Sequence, residues 1–150
     1  MVLITTNAVM SSVAAIGFAI IFKVPSRFMK HIALMAFCGF FVREFCVHEL
    51  VLGIELATFL GAICIGLIGG YFSSQLKVPA QVLTISSAIP MVPGTMSFKA
   101  IEMLILFISK KEPDAIVMSQ FFFYSGKVLF ILGALAFGIT VFTMIFKSRA

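Results

Sequence analysis

Charged residues are sparse and cut the chain into long apolar blocks. Met1 to Phe22 carries no charge at all, and Lys23-Val24-Pro25-Ser26-Arg27 closes that block with a helix breaker and two cations. The pattern predicts a first membrane span from about Val2 to Phe22. It reads as uncleaved, because a signal peptide starts with basic residues and has a shorter apolar core. A second apolar run, His31 to Val42, is about a dozen residues long, too short to cross alone. It continues past Arg43-Glu44 through Phe45 to Leu52, predicting a span with an internal charged pair. Gly53 punctuates, and a third span is expected from about Glu55 to Gln75, closed by Lys77-Val78-Pro79. The fourth block, Ala80 to Ile108, is followed by the polar loop Lys110-Lys111-Glu112-Pro113-Asp114. The last span runs from about Met118 to Phe146 and ends in Lys147-Ser148-Arg149.

The fourth block contains Ile89-Pro90-Met91-Val92-Pro93-Gly94. Each proline removes a backbone donor and clashes with the preceding turn, so the helix should break, leaving one half to about Ala88 and another from about Thr95. Irregular backbone at membrane depth survives only where protein buries it or where it lines a polar cavity. Secondary transporters place substrate sites at such breaks, where a new helix begins with free N–H groups and the positive end of its dipole. The predicted fold is therefore an all-α, polytopic membrane helix bundle of about five spans. Its fourth helix is broken at a Pro-x-x-Pro-Gly element.

Composition agrees. Of 150 residues, 61% are hydrophobic and 11% charged, with eighteen phenylalanines and no tryptophan, whereas a soluble domain is about half apolar and about a quarter charged. At about 20 residues per span there is no room for a separate soluble domain, so residues 1–150 read as one integral-membrane domain. A net charge of +5 does not indicate nucleic acid, because the cations sit at loop ends and not on one face. Positive-inside bias explains them better. Three follow the first span, Lys77 follows the third, and two lie in the tail, against Lys110 and Lys111 with Arg43 towards their side. That count favours the N-terminus outside and the C-terminus in the cytoplasm. Cys38, Cys46 and Cys64 form no CxxC pair and have no histidine at ligand spacing, so they read as small hydrophobes; neither metal nor cofactor is expected. No nucleophile elbow or phosphate-cradling loop appears, and the chain does not read as an enzyme.

Several residues could carry chemistry. Arg43 within a span faces a bundle interior, water or a carboxylate partner in Glu44 or Glu49; its planar fork also suits a substrate carboxylate. Lys99 and Glu102, one turn past the break, lie at i, i+3 and can neutralise each other. Alternatively Lys99 adds positive potential near Pro90, Pro93, Gly94 and Thr95, while Glu102 accepts a proton. Glu55 is a second proton-coupling candidate, or a charge that complements the dipole of the third helix. Lys127 snorkels. Ser86 and Ser87 bond back within their helix, or reach freed backbone or a ligand. Ala62, Gly66, Gly70 and Ser74 recur every four positions, a face that lets another helix approach closely.

These motifs together resemble a known family. Phe22-Lys23-Val24-Pro25-Ser26-Arg27, Arg43, Gly53-Ile54-Glu55-Leu56-Ala57-Thr58-Phe59, Ile89-Pro90-Met91-Val92-Pro93-Gly94 and Gly133-Ala134-Leu135 resemble the threonine/serine exporter family, above all its short YjjB-type subunits. The resemblance covers nearly the whole chain. It implies a bacterial inner-membrane exporter subunit acting with a larger YjjP-type membrane partner. The cargo it implies is a small carboxylate such as succinate, or threonine and serine in fused relatives, with a proton gradient as driver. Arg43, Glu55, Pro90, Pro93 and Gly94 coincide with the family pattern; Lys99 and Lys127 depart from it, standing where the family has small or uncharged residues. The alternative class is a scaffolding subunit that holds a partner through the small-residue face of the third span and takes no part in the pathway.

Overall fold

The computed structural model describes residues 1–109 and 115–147, with side chains through Val141. The loop at 110–114 and the last residues, 148–150, lie outside the described residues, as do the cations that the orientation count placed there. Helices α1 (Val2–Ile21), α2 (Met29–His48), α3 (Ile54–Leu76), α4 (Ala80–Ala88), α5 (Gly94–Ser109) and α6 (Ala115–Lys147) make an all-helical chain. Four stretches are long and apolar enough to cross a membrane, Val2–Ile21, Ser26–His48, Ile54–Leu76 and Ala115–Val141; the bent pair Ala80–Met91 and Gly94–Ser109 makes a fifth. Helix boundaries follow local chemistry. A short 3-10 turn, Ser26–Phe28, leads into α2, which stops at His48 instead of running to Leu52. There Val51 takes a left-handed φ of 51° and the chain turns into Gly53, the N-cap of α3.

Two of the turns are built alike. Lys23 (φ 56°) and Lys77 (φ 52°) both adopt the left-handed conformation that glycine usually supplies at a helix end. Val24 N–H then donates back to Ala19 O at 2.9 Å, and Val78 N–H to Ser73 O at 3.3 Å, each satisfying a terminal carbonyl. Pro25 and Pro79 follow, and their carbonyls accept from Phe28 and Val82 as the next helical turn opens. Lys-Val-Pro is thus one device used twice, a short repeat that the apolar blocks on either side conceal.

The chain divides into two compact units, residues 1–91 with 134–150, and residues 92–133. In the first unit, contacts fix an up-down-up-down order. Asn7 and Ser11 of α1 meet Glu44 and Ala36 of α2; Arg43 and Met35 of α2 meet Gly61 and Gly69 of α3; Gly69 and Gly61 of α3 meet Thr84 of α4 and Met91. Along each of these pairs one number rises as the other falls, so successive helices are antiparallel.

Lipid tails are as apolar as leucine, so helices in a membrane associate through close packing and not through hydrophobic expulsion. Here glycine permits that packing. A Cβ on Gly61 would lie 2.7 Å from Gly39 O and would overlap Met91 Cε; one on Gly69 would overlap Thr84; one on Gly138 of α6 would lie 2.7 Å from Ala62 Cβ. Two stripes of α3 are therefore buried, Ala57-Gly61-Ile65-Gly69 towards α2 and α4, and Thr58-Ala62-Gly66-Gly70 beside it. Ser74, the fourth member of the face expected from sequence, is exposed and bonds back to Gly70 O.

In the second unit Lys99 Nζ lies 5.7 Å from the centre of the Tyr124 ring, joining α5 to α6. Phe98, Ile101, Ile105, Phe122, Leu129 and Phe130 are exposed there, the surface a lipid-facing helix presents.

Candidate functional site

Pro90 lies within a 3-10 turn, Ile89–Met91, and Pro93 opens α5. Val92 O accepts from Gly94 N–H at 2.8 Å, and Pro93 O accepts from both Ser97 N–H (3.0 Å) and Ser97 Oγ (2.9 Å). Proline has no donor, Gly94 is engaged in its tight turn, and Ser97 is engaged by Pro93. Thr95 and Met96 N–H are left as the first-turn donors of α5 without a backbone partner. Gly94 and Thr95 are exposed and Pro93 is buried. A Cβ on Gly94 would meet nothing within 4 Å, so the space beside Gly94 is uncrowded. Two aligned donors at the positive end of a sixteen-residue helix suit a carboxylate.

In the first unit, α2 carries Arg43 and Glu44 within a candidate span. Arg43 Nε is buried with no hydrogen-bond partner, and its guanidinium lies 5.3 Å from the centre of the Phe40 ring. Glu44 acts on it through charge, but among the described residues no ion pair joins the two. That carboxylate accepts from Asn7 Nδ2 at 3.2 Å and pairs with His48 Nε2 at 3.5 Å. The stem of Arg43 and the tip of Met91 both crowd the face of Gly61 that a Cβ would occupy, so the arginine and the start of the break meet at one glycine. His31 Nδ1 is also buried without a partner, its ring edge-on to Phe72 at 4.8 Å.

The remaining expected site residues are spread more widely. Lys99 and Glu102 are exposed on α5, and among the described residues no ion pair joins them. Glu55 sits in the first turn of α3 with its Oε2 folded back over Gly53. Lys127 Nζ lies 5.0 Å from the Phe123 ring centre. Ser87 Oγ does two things, donating to Leu83 O (2.8 Å) and reaching Ile32 O on α2 (3.1 Å). Ser86 is buried and lines, with Gln81, Val82 and Ile85, an open groove of about 490 Å³ whose other wall is the turn Phe22–Pro25. No cluster of metal ligands occurs among the described residues.

The profile of the family described as Threonine/Serine exporter, ThrE, matches residues 7–145, from within α1 to within α6. The chain belongs to the threonine/serine exporter family. A relative from Haemophilus influenzae, described as an uncharacterized protein, is 30% identical over 142 residues, 93% of this chain and 46% of the relative. The chain thus spans about half the length of that curated relative. No solved structure matches it.

Within this member of the threonine/serine exporter family, sequence reasoning missed the partners of Glu44. Asn7 is an uncharged residue in a span with no charge, and Glu44 was weighed only as a counter-ion for Arg43. A signal was nonetheless present. Glu44 and His48 lie at i, i+4, the spacing that puts two side chains on one helix face.

Proposed function

We propose that this chain is the membrane subunit of a two-component exporter of small carboxylates, succinate first and threonine or serine next. Its partner is a larger YjjP-type subunit in the bacterial inner membrane, and a proton gradient drives it. The observation that carries this reading is the opening of α5, where Pro93 and Gly94 leave the Thr95 and Met96 N–H groups without backbone partners beside an uncrowded Gly94. Arg43, with a buried and unpartnered Nε, supplies a second anion-seeking group in the other unit. A charge inside a span is costly, and such residues mark substrate or ion pathways. The family's description as a threonine/serine exporter supports the cargo class. Lys23, Arg27, Lys30 and Lys77 fall at one end of the antiparallel helices, which supports a cytoplasmic location for that end. Scaffolding through α3 is disfavoured, because Gly61, Ala62 and Gly69 are taken up by contacts within the chain itself.

Efflux of labelled succinate and labelled threonine from vesicles, with and without the YjjP-type partner, tests the proposal. Efflux that requires both chains and stops when the proton gradient is collapsed is the expected result. An intact complex that moves neither compound refutes this cargo.

A further inference from the structure

We propose that Glu44, with His48 and Asn7, is the proton-binding site of this chain. The inference rests on the exporter reading above and replaces Glu55 and Glu102 as coupling candidates. Glu44 lies one turn inside the end of α2 with 14% of its side chain exposed, whereas His48, at the last position of the helix, is 49% exposed. His48 therefore stands between solvent and the carboxylate. Imidazole can take up a proton and donate it again through a ring nitrogen, which suits it to relay a proton inward. Glu55, by contrast, attends the helix terminus at Gly53, and Glu102 is exposed on α5.

The proton balance is simple. A proton from water binds His48 Nε2; the imidazolium donates it to Glu44 Oε2, 3.5 Å away, leaving neutral histidine and a neutral carboxyl. No electron moves and no other reactant is needed. The same Oε2 accepts from Asn7 Nδ2 of α1, so neutralising it converts a charge-assisted bond between α1 and α2 into a weaker neutral one. Protonation thereby acts on the packing of α1 against α2. Charges around the site are few. Arg43 on α2 and Glu49 just past its end flank it, and Glu55 enters from the start of α3. No charged side chain comes from α1 (Val2–Ile21), from α4 and the turn after it (Ala80–Met91), or from α6 between Ala134 and Val141. The one cation beside Glu44 in sequence, Arg43, keeps an unpartnered Nε.

The test uses the intact two-chain complex in vesicles, with labelled succinate and labelled threonine as probes and a pH-sensitive dye inside. Counterflow needs no net proton movement; pH-gradient-driven efflux does. E44Q should retain counterflow yet lose gradient-driven efflux and its proton signal by about 5- to 150-fold, the usual size of coupling between two binding events. H48Q should retain counterflow and flatten the pH dependence of efflux between about pH 5 and 8. Gradient-driven efflux by E44Q at the native rate overturns the assignment while leaving the exporter reading intact. So does a proton signal lost in E55Q or E102Q but kept in E44Q. Absence of counterflow in the native complex overturns the exporter reading itself, and this proposal with it.

Discussion

Arg43 and Glu44 are neighbours in sequence and part company in the fold. Consecutive helical residues point about 100° apart, so Arg43 turns its stem to Gly61 on α3 while Glu44 turns to Asn7 on α1. The two side chains take different neighbours, although their charges still act on each other. That separation was not legible, because the Asn7–Glu44 bond joins residues 37 positions apart and no local pattern announces it. Arg43→Gln removes the charge but keeps the length and polarity of the side chain. In the proposed exporter it should cut carboxylate efflux by about 10- to 100-fold, the equivalent of losing a charged hydrogen bond of roughly 1.5–3 kcal/mol. Co-purification of the partner should be unchanged. Equal loss of efflux and assembly would instead mark Arg43 as a packing residue.

Helices were the most legible level, since span length and the Pro-x-x-Pro-Gly sequence each impose a physical limit that few alternatives satisfy. The ends of α2 were less so, because a left-handed Val51 is not a stop signal that residue type supplies. Which small residues touch which neighbours was less legible still. Spacing alone gives a face on α3, but Gly61 and Gly69 belong to the adjoining stripe and make the tightest approaches. Two alanine substitutions separate these roles. Gly61→Ala would push a methyl into the Gly39 carbonyl oxygen and Met91, and backbone cannot yield as a flexible side chain can; a loss of about 1–3 kcal/mol is expected. Gly17→Ala meets nothing within 4 Å and should add roughly 0.5–1 kcal/mol through helix propensity alone. Thermal unfolding of the two variants in detergent should move in opposite directions from the native chain, and a stable Gly61→Ala would show that α2 and α3 are free to part.

For the whole molecule, antiparallel order places Lys23 and Lys77 at one end and the α2–α3 loop at the other. In a cysteine-free background, single cysteines at positions 23 and 77 should react with an impermeant thiol reagent from the same side of the membrane, and a cysteine at position 50 from the opposite side. Labelling of 23 and 77 from opposite sides would break the four-helix order. Orientation was approachable from sequence only through charge counting, while the order of helices needed cross-helix contacts that composition does not encode. The two lysine turns also bear on how the chain is made. A left-handed lysine is a poorer helix terminus than glycine by about 1 kcal/mol, yet it is a lysine beside a span that the insertion machinery sorts. Glycine at both positions would make a sturdier finished protein, and one more often threaded into the membrane backwards. The turns thus give up a little equilibrium stability for fidelity during biogenesis.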